Sequence, residues 1–372
     1  MQYRKAPNNI ETVRAAHGGR VYEAARRWGC SPDEVIDYSA NINPLGPPLG
    51  VIGALENCLA PVNLRTYPDS HAFISALADK HSVAPDEIVV GAGSAALMFA
   101  VLRAVLPTRV LVLEPAFSEY YRACATVKAE VRGWRLTEED GFKPDFAGLA
   151  RAIEKRQCEL MILNSPHNPT GRLYGREALS ALIDAAEANQ VTVMLDEAFI
   201  DYAPQASLLP VAAKRTRLIV LRSLTKFYAM PGLRIGYAVC GAEPAAAVRE
   251  QIEAWPVSTA ALEAGRATLA EEEYEAQSRC LNARAREEFS AALRGIGLCV
   301  FPSAANFLLA KLPGGSGAEL TCWLEPRRTL IRRCDSFHGL GDAYIRLAVR
   351  SREDNLRLVS QIEPWLKRVE RC

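Results

Sequence analysis

Residues 217–226 have the sequence Arg217-Leu-Ile-Val-Leu-Arg-Ser-Leu-Thr-Lys226, and this stretch decides the fold. Its first half is almost entirely apolar, which is typical of a strand buried on both faces of a sheet. Its second half is polar and ends in a lysine. A buried strand followed at once by polar residues is the pattern of an α/β sheet that binds its ligand at the carboxyl ends of the strands.

The same pattern recurs along the chain between residues 45 and 255. Helix-length segments at 94–106, 145–156 and 175–189 separate most of the apolar runs. This alternation predicts an α/β doubly wound domain with a mostly parallel sheet. The six runs that we predict as strands are 87–90, 109–113, 160–163, 191–195, 217–221 and 235–239.

The two ends of the chain do not follow this alternation. Residues 21–28 have one apolar helical face, and residues 258–295 are predicted to form a long helical stretch. We therefore predict a large domain over residues 45–260 and a smaller α+β domain made of residues 1–44 and 261–372. The later elements of the small domain are predicted as short strands at 299–301, 306–310, 329–332 and 344–349, followed by a helix from residue 351.

Composition excludes several classes of protein. The 44 Lys and Arg residues against 43 Asp and Glu residues leave a formal net charge of +1, so no global field would recruit nucleic acid or an anionic membrane. The N-terminal residues lack the apolar core of a signal peptide. The ten cysteines are scattered without a Cys-x-x-Cys pair, which favours reduced thiols over disulfides or a zinc site. We expect a cytoplasmic enzyme with no metal, no nucleic-acid partner and no membrane association.

Four strand ends carry residues suited to chemistry. The turn at 91–94, Gly-Ala-Gly-Ser, opens a helix whose N-terminus could cradle a phosphate. Asn168 follows the third strand, and Asp196 ends a strand as a buried carboxylate that needs a cationic partner. Lys226 could carry a lowered pKa and form a Schiff base. Taken singly, these features also have ordinary structural explanations. The glycine turn could merely allow tight packing, Asp196 could cap a helix, and Lys226 could be a solvated surface charge. Together they suit pyridoxal 5′-phosphate (PLP), which needs an amine, an anion, a donor and a phosphate site.

The spacing of these residues resembles that of fold-type I PLP enzymes, the aspartate aminotransferase superfamily. Asn168 to Asp196 is 28 residues, Asp196 to Lys226 is 30, and Lys226 to Arg234 is 8. The resemblance implies a mostly parallel seven-stranded sheet in the large domain and PLP as the cofactor. It makes Lys226 and Asp196 the catalytic residues, as Schiff-base lysine and pyridinium partner. The other cofactor-binding residues that it implies are Gly93, Ser94, Ala95, Phe117, Asn168, Ser223 and Arg234.

Tyr67 has a separate role in this resemblance. It lies in the segment Arg-Thr-Tyr-Pro-Asp, and it matches a tyrosine that binds the cofactor phosphate of the neighbouring subunit. The resemblance therefore implies a homodimer with its active site at the interface between the subunits.

Two families within the superfamily are similar to this chain. Histidinol-phosphate aminotransferases and the threonine-phosphate decarboxylases of the cobalamin pathway both share the segments at 168–171, Asn-Pro-Thr-Gly, and 196–198, Asp-Glu-Ala. The segments at 17–25, His-Gly-Gly-Arg-Val-Tyr-Glu-Ala-Ala, and 37–46, Asp-Tyr-Ser-Ala-Asn-Ile-Asn-Pro-Leu-Gly, resemble the decarboxylases more closely. Aminotransferases usually carry a tyrosine where this chain has Phe199, which also favours the decarboxylases.

The decarboxylase resemblance implies the reaction and the residues that bind its substrate. The expected reaction converts L-threonine O-3-phosphate to (R)-1-amino-2-propanol O-2-phosphate and CO2 in cobalamin biosynthesis. Its substrate is a small phosphorylated amino acid, and planar guanidinium groups suit both of its anionic groups. The substrate-binding residues implied are His17, Gly18, Asn41, Asn168, Arg332 and Arg346.

Two alternatives stay open. The first is a PLP-dependent aminotransferase of the histidinol-phosphate type. The second is a decarboxylase acting on L-serine O-phosphate, because three residues depart from the common pattern around the cofactor. Ala92 and Ala95 stand where relatives often carry polar residues, and His167 replaces an asparagine beside Asn168. These departures could mark a subgroup with a shifted substrate.

Overall fold

Strands and helices are interspersed along the chain. The computed structural model describes residues 3–5, 17–155 and 157–369. The strands are β1 Tyr3–Lys5, β2 Ile36–Asp37, β3 Ile88–Gly91, β4 Arg109–Glu114, β5 Glu130–Arg135, β6 Leu160–Asn164, β7 Thr192–Asp196, β8 Leu218–Ser223, β9 Gly236–Val239, β10 Cys299–Val300, β11 Phe307–Lys311, β12 Thr329–Leu330, β13 Arg332–Arg333 and β14 Tyr344–Ala348. The helices are α1 Val21–Trp28, α2 Leu49–Asn57, α3 Pro61–Arg65, α4 His71–His81, α5 Ser94–Val105, α6 Ser118–Thr126, α7 Phe146–Glu154, α8 Arg176–Ala188, α9 Leu209–Ala212, α10 Ala242–Arg249, α11 Thr259–Thr268, α12 Glu272–Gly295, α13 Gly317–Leu324 and α14 Arg352–Val369.

The large sheet has the strand order β1-β5-β4-β6-β7-β8-β9-β3. Strands β5, β4, β6, β7 and β8 are parallel to one another, whereas β9 is antiparallel to both β8 and β3. The prediction of a mostly parallel seven-stranded sheet is confirmed by strands β3 to β9. The short strand β1 adds an antiparallel eighth strand beside β5.

All six strands predicted from apolar runs form, and the seventh, β5, has no such run. Val131 and Trp134 of β5 are buried, whereas Arg132 and Arg135 are not. The strand lies near one edge of the sheet, so its side chains alternate between the core and more exposed surroundings. Alternation of this kind is harder to distinguish from a loop than the continuous apolar sequence of a central strand.

Two predictions about the C-terminal part were wrong in detail. The helical stretch predicted at 258–295 is two helices, α11 and α12, interrupted at residues 269–271. The two helices have different packing partners, since α11 contacts α2 and α4 whereas α12 contacts α14. The strand predicted at 329–332 is also divided. Its first half, β12, pairs with β2, and its second half, β13, pairs with β14, because the chain changes sheets at Ile331.

Separate hydrophobic cores hold the sheets and helices together. Apolar side chains on the two faces of the large sheet belong to two clusters, one containing Val193 and the other Met194. A third cluster joins the four-stranded antiparallel sheet β10-β11-β14-β13 to α12, α13 and α14. Tyr38, from the N-terminal part of the chain, is buried in this third core. The division into domains at 44/45 and 260/261 stays a prediction.

The fold brings the carboxyl ends of β6, β7 and β8 together, because these strands are parallel neighbours in register. Asn164 is paired with Asp196 at this edge of the sheet. Strands β13 and β14 of the small sheet contribute Arg332 and Arg346 to the same region. None of the helices in the described part of the chain is long and apolar enough to cross a membrane.

Candidate active site

A cavity of about 370 Å³ lies at these strand ends. It is lined by residues from the large sheet, from the segment after residue 17 and from the small sheet. Of the residues predicted to bind cofactor or substrate, all line this cavity except Gly93 and Tyr67. The lining residues are His17, Gly18, Ser39, Ala40, Asn41, Ser94, Ala95, Phe117, Ser118, Glu119, Asn164, Asn168, Asp196, Ala198, Phe199, Ser223, Thr225, Lys226, Arg234, Arg332, Ser336, Phe337 and Arg346.

Lys226 lies in the turn that follows β8. Burial of its amine, together with the positive charges of Arg346 and Arg234, lowers the pKa of Lys226 to about 8. Its backbone is held in place by Asn43, whose N–H donates to the Lys226 carbonyl at 3.1 Å. An amine with this pKa is half uncharged at about pH 8, whereas an ordinary lysine is almost wholly protonated there, so Lys226 is a competent nucleophile.

Asp196 is the last residue of β7, and its side chain is buried. The Tyr120 hydroxyl donates to Oδ2 at 2.8 Å, and the Ala198 N–H donates to Oδ1 at 3.0 Å. Burial raises the pKa of Asp196, and these two hydrogen bonds oppose the rise. The carboxylate therefore has fixed geometry and has no cationic partner among the described residues, as expected for a group that faces a bound cation.

The N-terminus of α5 forms an anion-binding corner. Gly93 precedes the helix with φ +84°, and a Cβ at this position would lie 2.9 Å from Arg234 Nη2. Only glycine allows this backbone conformation and this approach of the guanidinium together. Ser94 begins α5, and Ser223 ends β8 with its hydroxyl 2.8 Å from that of Thr225. Helix N–H groups, hydroxyls and a guanidinium suit a phosphate.

Asn168 connects the large sheet to the small one. Its Oδ1 accepts a hydrogen bond from Arg346 Nη1 at 2.6 Å, and its N–H donates to Asn164 Oδ1 at 2.6 Å. The Oδ1 atom is therefore engaged, which leaves the Asn168 Nδ2 group as a donor toward a ligand oxygen. Arg346 also donates to the Ser39 carbonyl at 2.9 Å.

Arg332 and Arg346 are buried guanidinium groups that line one cavity. Burial and the charge of Arg332 lower the pKa of Arg346 to about 10, so it is a cation at neutral pH. Arg332 donates to the Ser336 hydroxyl at 2.7 Å, and its guanidinium lies 4.8 Å from the centre of the Phe337 ring. Neither arginine pairs with a carboxylate in the described part of the chain. Two such buried cations require anionic groups from a ligand.

His17 and Phe117 lie together at the cavity. Their rings are 5.7 Å apart and tilted, and Phe117 makes an edge contact with Tyr120. His17 Nε2 lies 2.8 Å from Glu119 Oε1, where its N–H can donate to the carboxylate. Gly18 follows, and a Cβ there would lie 2.0 Å from the Ser39 carbonyl oxygen. The two segments are therefore packed backbone to backbone.

Tyr67, His167 and Arg350 lie outside the cavity. Tyr67 is 73% exposed and stacks on Trp255 with 4.0 Å between ring centres. His167 is buried, with Nδ1 2.8 Å from the Thr170 hydroxyl, and burial lowers its pKa to about 4. Arg350 donates to Asp354 Oδ2 at 3.0 Å. His167 is thus a neutral buried residue that does not line the cavity.

Several residues at or next to the cavity are not predicted from the sequence. Glu119 lines the cavity and Tyr120 donates to Asp196, and the two follow Phe117 closely in the chain, so a carboxylate two residues after that aromatic is a usable signal. Ser336 and Phe337 follow β13 in an irregular loop, where no periodic pattern marks them. Their proximity to Arg332 results from the fold of that loop.

The cavity fits PLP by the chemistry of its donors. It offers an amine at Lys226, a carboxylate at Asp196 and an amide donor at Asn168. The helix N-terminus with Arg234 supplies a phosphate site, in which the missing Cβ of Gly93 leaves room for the guanidinium. These are the groups that hold PLP in a protein.

Comparisons with known proteins agree with this geometry. The aminotransferase class I and II family matches residues 33–362. The chain is 37% identical to the threonine-phosphate decarboxylase of Salmonella typhimurium over 353 residues, which cover 94% of this chain and 96% of the relative.

Two solved structures are also similar. The histidinol-phosphate aminotransferase from Clostridium acetobutylicum has a TM-score of 0.84 at 28% identity, and the L-threonine-O-3-phosphate decarboxylase from Porphyromonas gingivalis has a TM-score of 0.78 at 26% identity. Each comparison covers 90% of this chain and 100% of the solved one. The fold, the cavity and these similarities agree, and the chain belongs to the PLP-dependent class I and II aminotransferase family.

Proposed function

We propose that this enzyme decarboxylates L-threonine O-3-phosphate, giving (R)-1-amino-2-propanol O-2-phosphate and CO2 for cobalamin biosynthesis. The observation that carries the proposal is the pair of buried guanidinium groups, Arg332 and Arg346, beside Lys226 in one cavity. A phosphorylated amino acid has two anionic groups to match them. The similarity to the Salmonella typhimurium threonine-phosphate decarboxylase supports the same substrate.

Each residue of the cavity has a defined task in this reaction. When bound, PLP supplies an electron sink for the pair released from the bond that breaks. The Asp196 carboxylate, held by Tyr120 and the Ala198 N–H, stabilises a proton on the pyridine nitrogen. The Asn168 amide donates to the cofactor's phenolic oxygen. Lys226, with its pKa near 8, can return a proton to Cα after CO2 departs.

Phe199 distinguishes this cavity from that of most aminotransferases. Its ring makes an edge contact with Phe307 at 5.0 Å, and Phe307 lies 5.3 Å below the Arg346 guanidinium. A hydroxyl is therefore missing on this wall, where aminotransferases donate to the cofactor. Phe199 makes this part of the cavity wall apolar, so a substrate carboxylate placed against it would be poorly solvated, which favours its loss as neutral CO2.

The experiment that tests the proposal uses purified enzyme with PLP and three substrates in parallel. Threonine phosphate should release CO2 and give the phosphorylated amino alcohol, whereas serine phosphate should react more slowly. Histidinol phosphate with 2-oxoglutarate should give no glutamate. Rapid glutamate formation without CO2 release from threonine phosphate would replace the proposal with the aminotransferase reaction, which the TM-score of 0.84 to the Clostridium acetobutylicum enzyme favours. Faster release of CO2 from serine phosphate would reassign the substrate.

The proposal includes a homodimer that shares its active sites, and a cytoplasmic location. Tyr67 lies outside its own subunit's cavity and is exposed, as required of a residue that binds the partner's cofactor phosphate. Apolar side chains exposed nearby in α2, in α3 and just before α3 are typical of a surface that another chain covers. They are Leu49, Leu59, Val62 and Leu64.

A further inference from the structure

Glu119 is a carboxylate in a cavity that is proposed to bind an anionic substrate. Among the described residues, it and Asp196 are the carboxylates that line the cavity. In the proposed function Asp196 faces the cofactor, and no step of the reaction needs the negative charge of a second carboxylate such as Glu119. Glu119 is 7% exposed, and it shares the cavity with the guanidinium groups of Arg332 and Arg346. An unpaired carboxylate there would repel the substrate.

Two donors hold the Glu119 carboxylate. His17 Nε2 lies 2.8 Å from Oε1, and Arg122 Nη1 lies 2.9 Å from both Oε1 and Oε2. Burial raises the pKa of Glu119, but the hydrogen bonds from His17 and Arg122 outweigh it and hold the pKa below its ordinary value. The carboxylate therefore stays ionised as the acceptor for His17. Arg122 balances its charge.

Residues 17–19 form a short strap whose first two residues, His17 and Gly18, line the cavity. The Gly19 N–H donates to the Ser39 hydroxyl at 2.9 Å, and the Ser39 carbonyl accepts a hydrogen bond from Arg346. The strap is thus tied at one end to Glu119 of the large domain. At the other end it is tied through Ser39 to Arg346 of the small sheet.

The His17 ring depends on Glu119 for its orientation. Its side chain is 42% exposed, so packing alone does not restrain it. Its ring is hydrogen-bonded to the Glu119 carboxylate and contacts the Phe117 ring. Because Nε2 is used by Glu119, the second ring nitrogen, Nδ1, is the one available to a ligand in the cavity.

We propose that Glu119 is a positioning residue for substrate binding: it holds the His17 ring beside Phe117 so that, with both ring nitrogens protonated, the Nδ1–H donates to an anionic group of the phosphorylated substrate. This inference rests on the proposed function for the role of His17. Glu119 itself does not touch the reacting atoms. Its contribution is the orientation of the ring and, through the strap, the placement of residues 17–19 at the cavity.

A double-mutant cycle tests this role. Glu119→Gln should raise KM for threonine phosphate about tenfold, the effect expected on losing a hydrogen bond to a charged group, with kcat and the cofactor absorbance band nearly unchanged. His17→Ala should have a similar effect. The double variant should be no worse than His17→Ala, because both changes remove the same interaction. Additive effects, or an unchanged KM in Glu119→Gln, would overturn the inference.

Two further variants keep the test decisive. Glu119→Asp retains the charge but shortens the side chain, so it should also raise KM, and it replaces Glu119→Gln if that variant unfolds. Glu114→Gln is the matched control, because Glu114 Oε1 also lies near an imidazole, 3.4 Å from His338 Nδ1, but does not line the cavity. Its KM should not change, and an equal rise in the control would point to general destabilisation instead.

The readout separates this inference from the proposed function. If the wild-type enzyme releases no CO2 from threonine phosphate, the proposed reaction fails. The cycle is then run on dissociation constants, measured by the change in cofactor absorbance when threonine phosphate or histidinol phosphate is added. Non-additive losses in that assay would still support the role of Glu119, and additive losses would refute it.

Discussion

Lys226 has a pKa that can be followed by chemical labelling. Since burial and neighbouring guanidinium groups lower it to about 8, the uncharged amine becomes the major form as pH rises through that value. We expect PLP to attach to Lys226 of the apoprotein at a rate that rises through pH 8 and then levels. Borohydride reduction and peptide mapping measure it. A tag on another lysine, or a rise that continues to pH 10, would contradict the assignment.

The Asp196 carboxylate is proposed to stabilise the protonated cofactor, but its burial is unfavourable when the cavity is empty. Burial raises the pKa of this carboxyl, so its ionised form is unfavourable in the empty cavity. Asp196→Asn keeps an acceptor for the Tyr120 hydroxyl but removes the anion that stabilises the protonated cofactor. We expect turnover to fall by several orders of magnitude while thermal unfolding of the apoprotein is unchanged or occurs at a higher temperature. Near-normal activity in this variant would refute the role.

Arg346 and Arg350 provide a matched pair of arginines four residues apart, the first in β14 and the second just after it. Arg346 donates to Asn168 and Ser39 from a buried position, whereas Arg350 donates to Asp354 and lies outside the cavity. Lysine cannot reproduce two such contacts with a planar group. We expect Arg346→Lys to cost about 2–5 kcal/mol in kcat/KM and Arg350→Lys to cost little. Steady-state kinetics with threonine phosphate decide this, and equal losses would count against it.

At the scale of one element, the turn between β3 and α5 shapes the proposed phosphate site. Gly93→Ala would place a Cβ 2.9 Å from Arg234 Nη2 at φ +84°, which displaces the guanidinium or the helix N-terminus. We expect weaker PLP binding, measured as a faster loss of cofactor absorbance on dilution. Gly295→Ala, at an open position, is the control. Equal PLP retention in both variants would mean that the turn does not hold the phosphate.

Helix α6 organises the other side of the cavity. The residue before it, Phe117, contributes a ring, and its first turn supplies Glu119 to the strap and Tyr120 to the Asp196 carboxylate. Three neighbouring residues thus contact three different parts of the cavity. This arrangement is possible because successive residues of a helix point about 100° apart.

At the scale of the whole molecule, the proposed sharing of active sites between two subunits can be tested with hybrid dimers. Tyr67→Ala and Lys226→Ala should each inactivate their own homodimer. A hybrid of the two has one intact site, because the wild-type Tyr67 of one subunit serves the Lys226 of the other. Statistical mixing should therefore restore about a quarter of wild-type activity. A mixture with no more activity than its parents, or a monomer in analytical ultracentrifugation, would refute the shared site.

Much of the fold and of the site could be predicted from the sequence by itself. Central strands of a covered sheet are apolar throughout, so their positions and the polar residues at their ends are visible as local patterns. For this reason the strands that end near Asp196 and Ser223 are predictable from the sequence, and so is the position of Lys226 just after one of them. The resemblance to known enzymes then supplied Arg332 and Arg346, whose surroundings in the sequence are not distinctive.

Only the tertiary structure decided the features that depend on distant contacts. Strand β5 lacks an apolar run, and residues 258–295 divide into two helices because each half packs on different partners. Arg346 meets Asn168 across 178 residues, and His17 meets Glu119 across 102. Local periodicity reports burial and secondary structure, whereas such pairs result from the packing of whole elements. The sequence therefore determined which residues carry the chemistry, and the fold determined which of them hold one another in place.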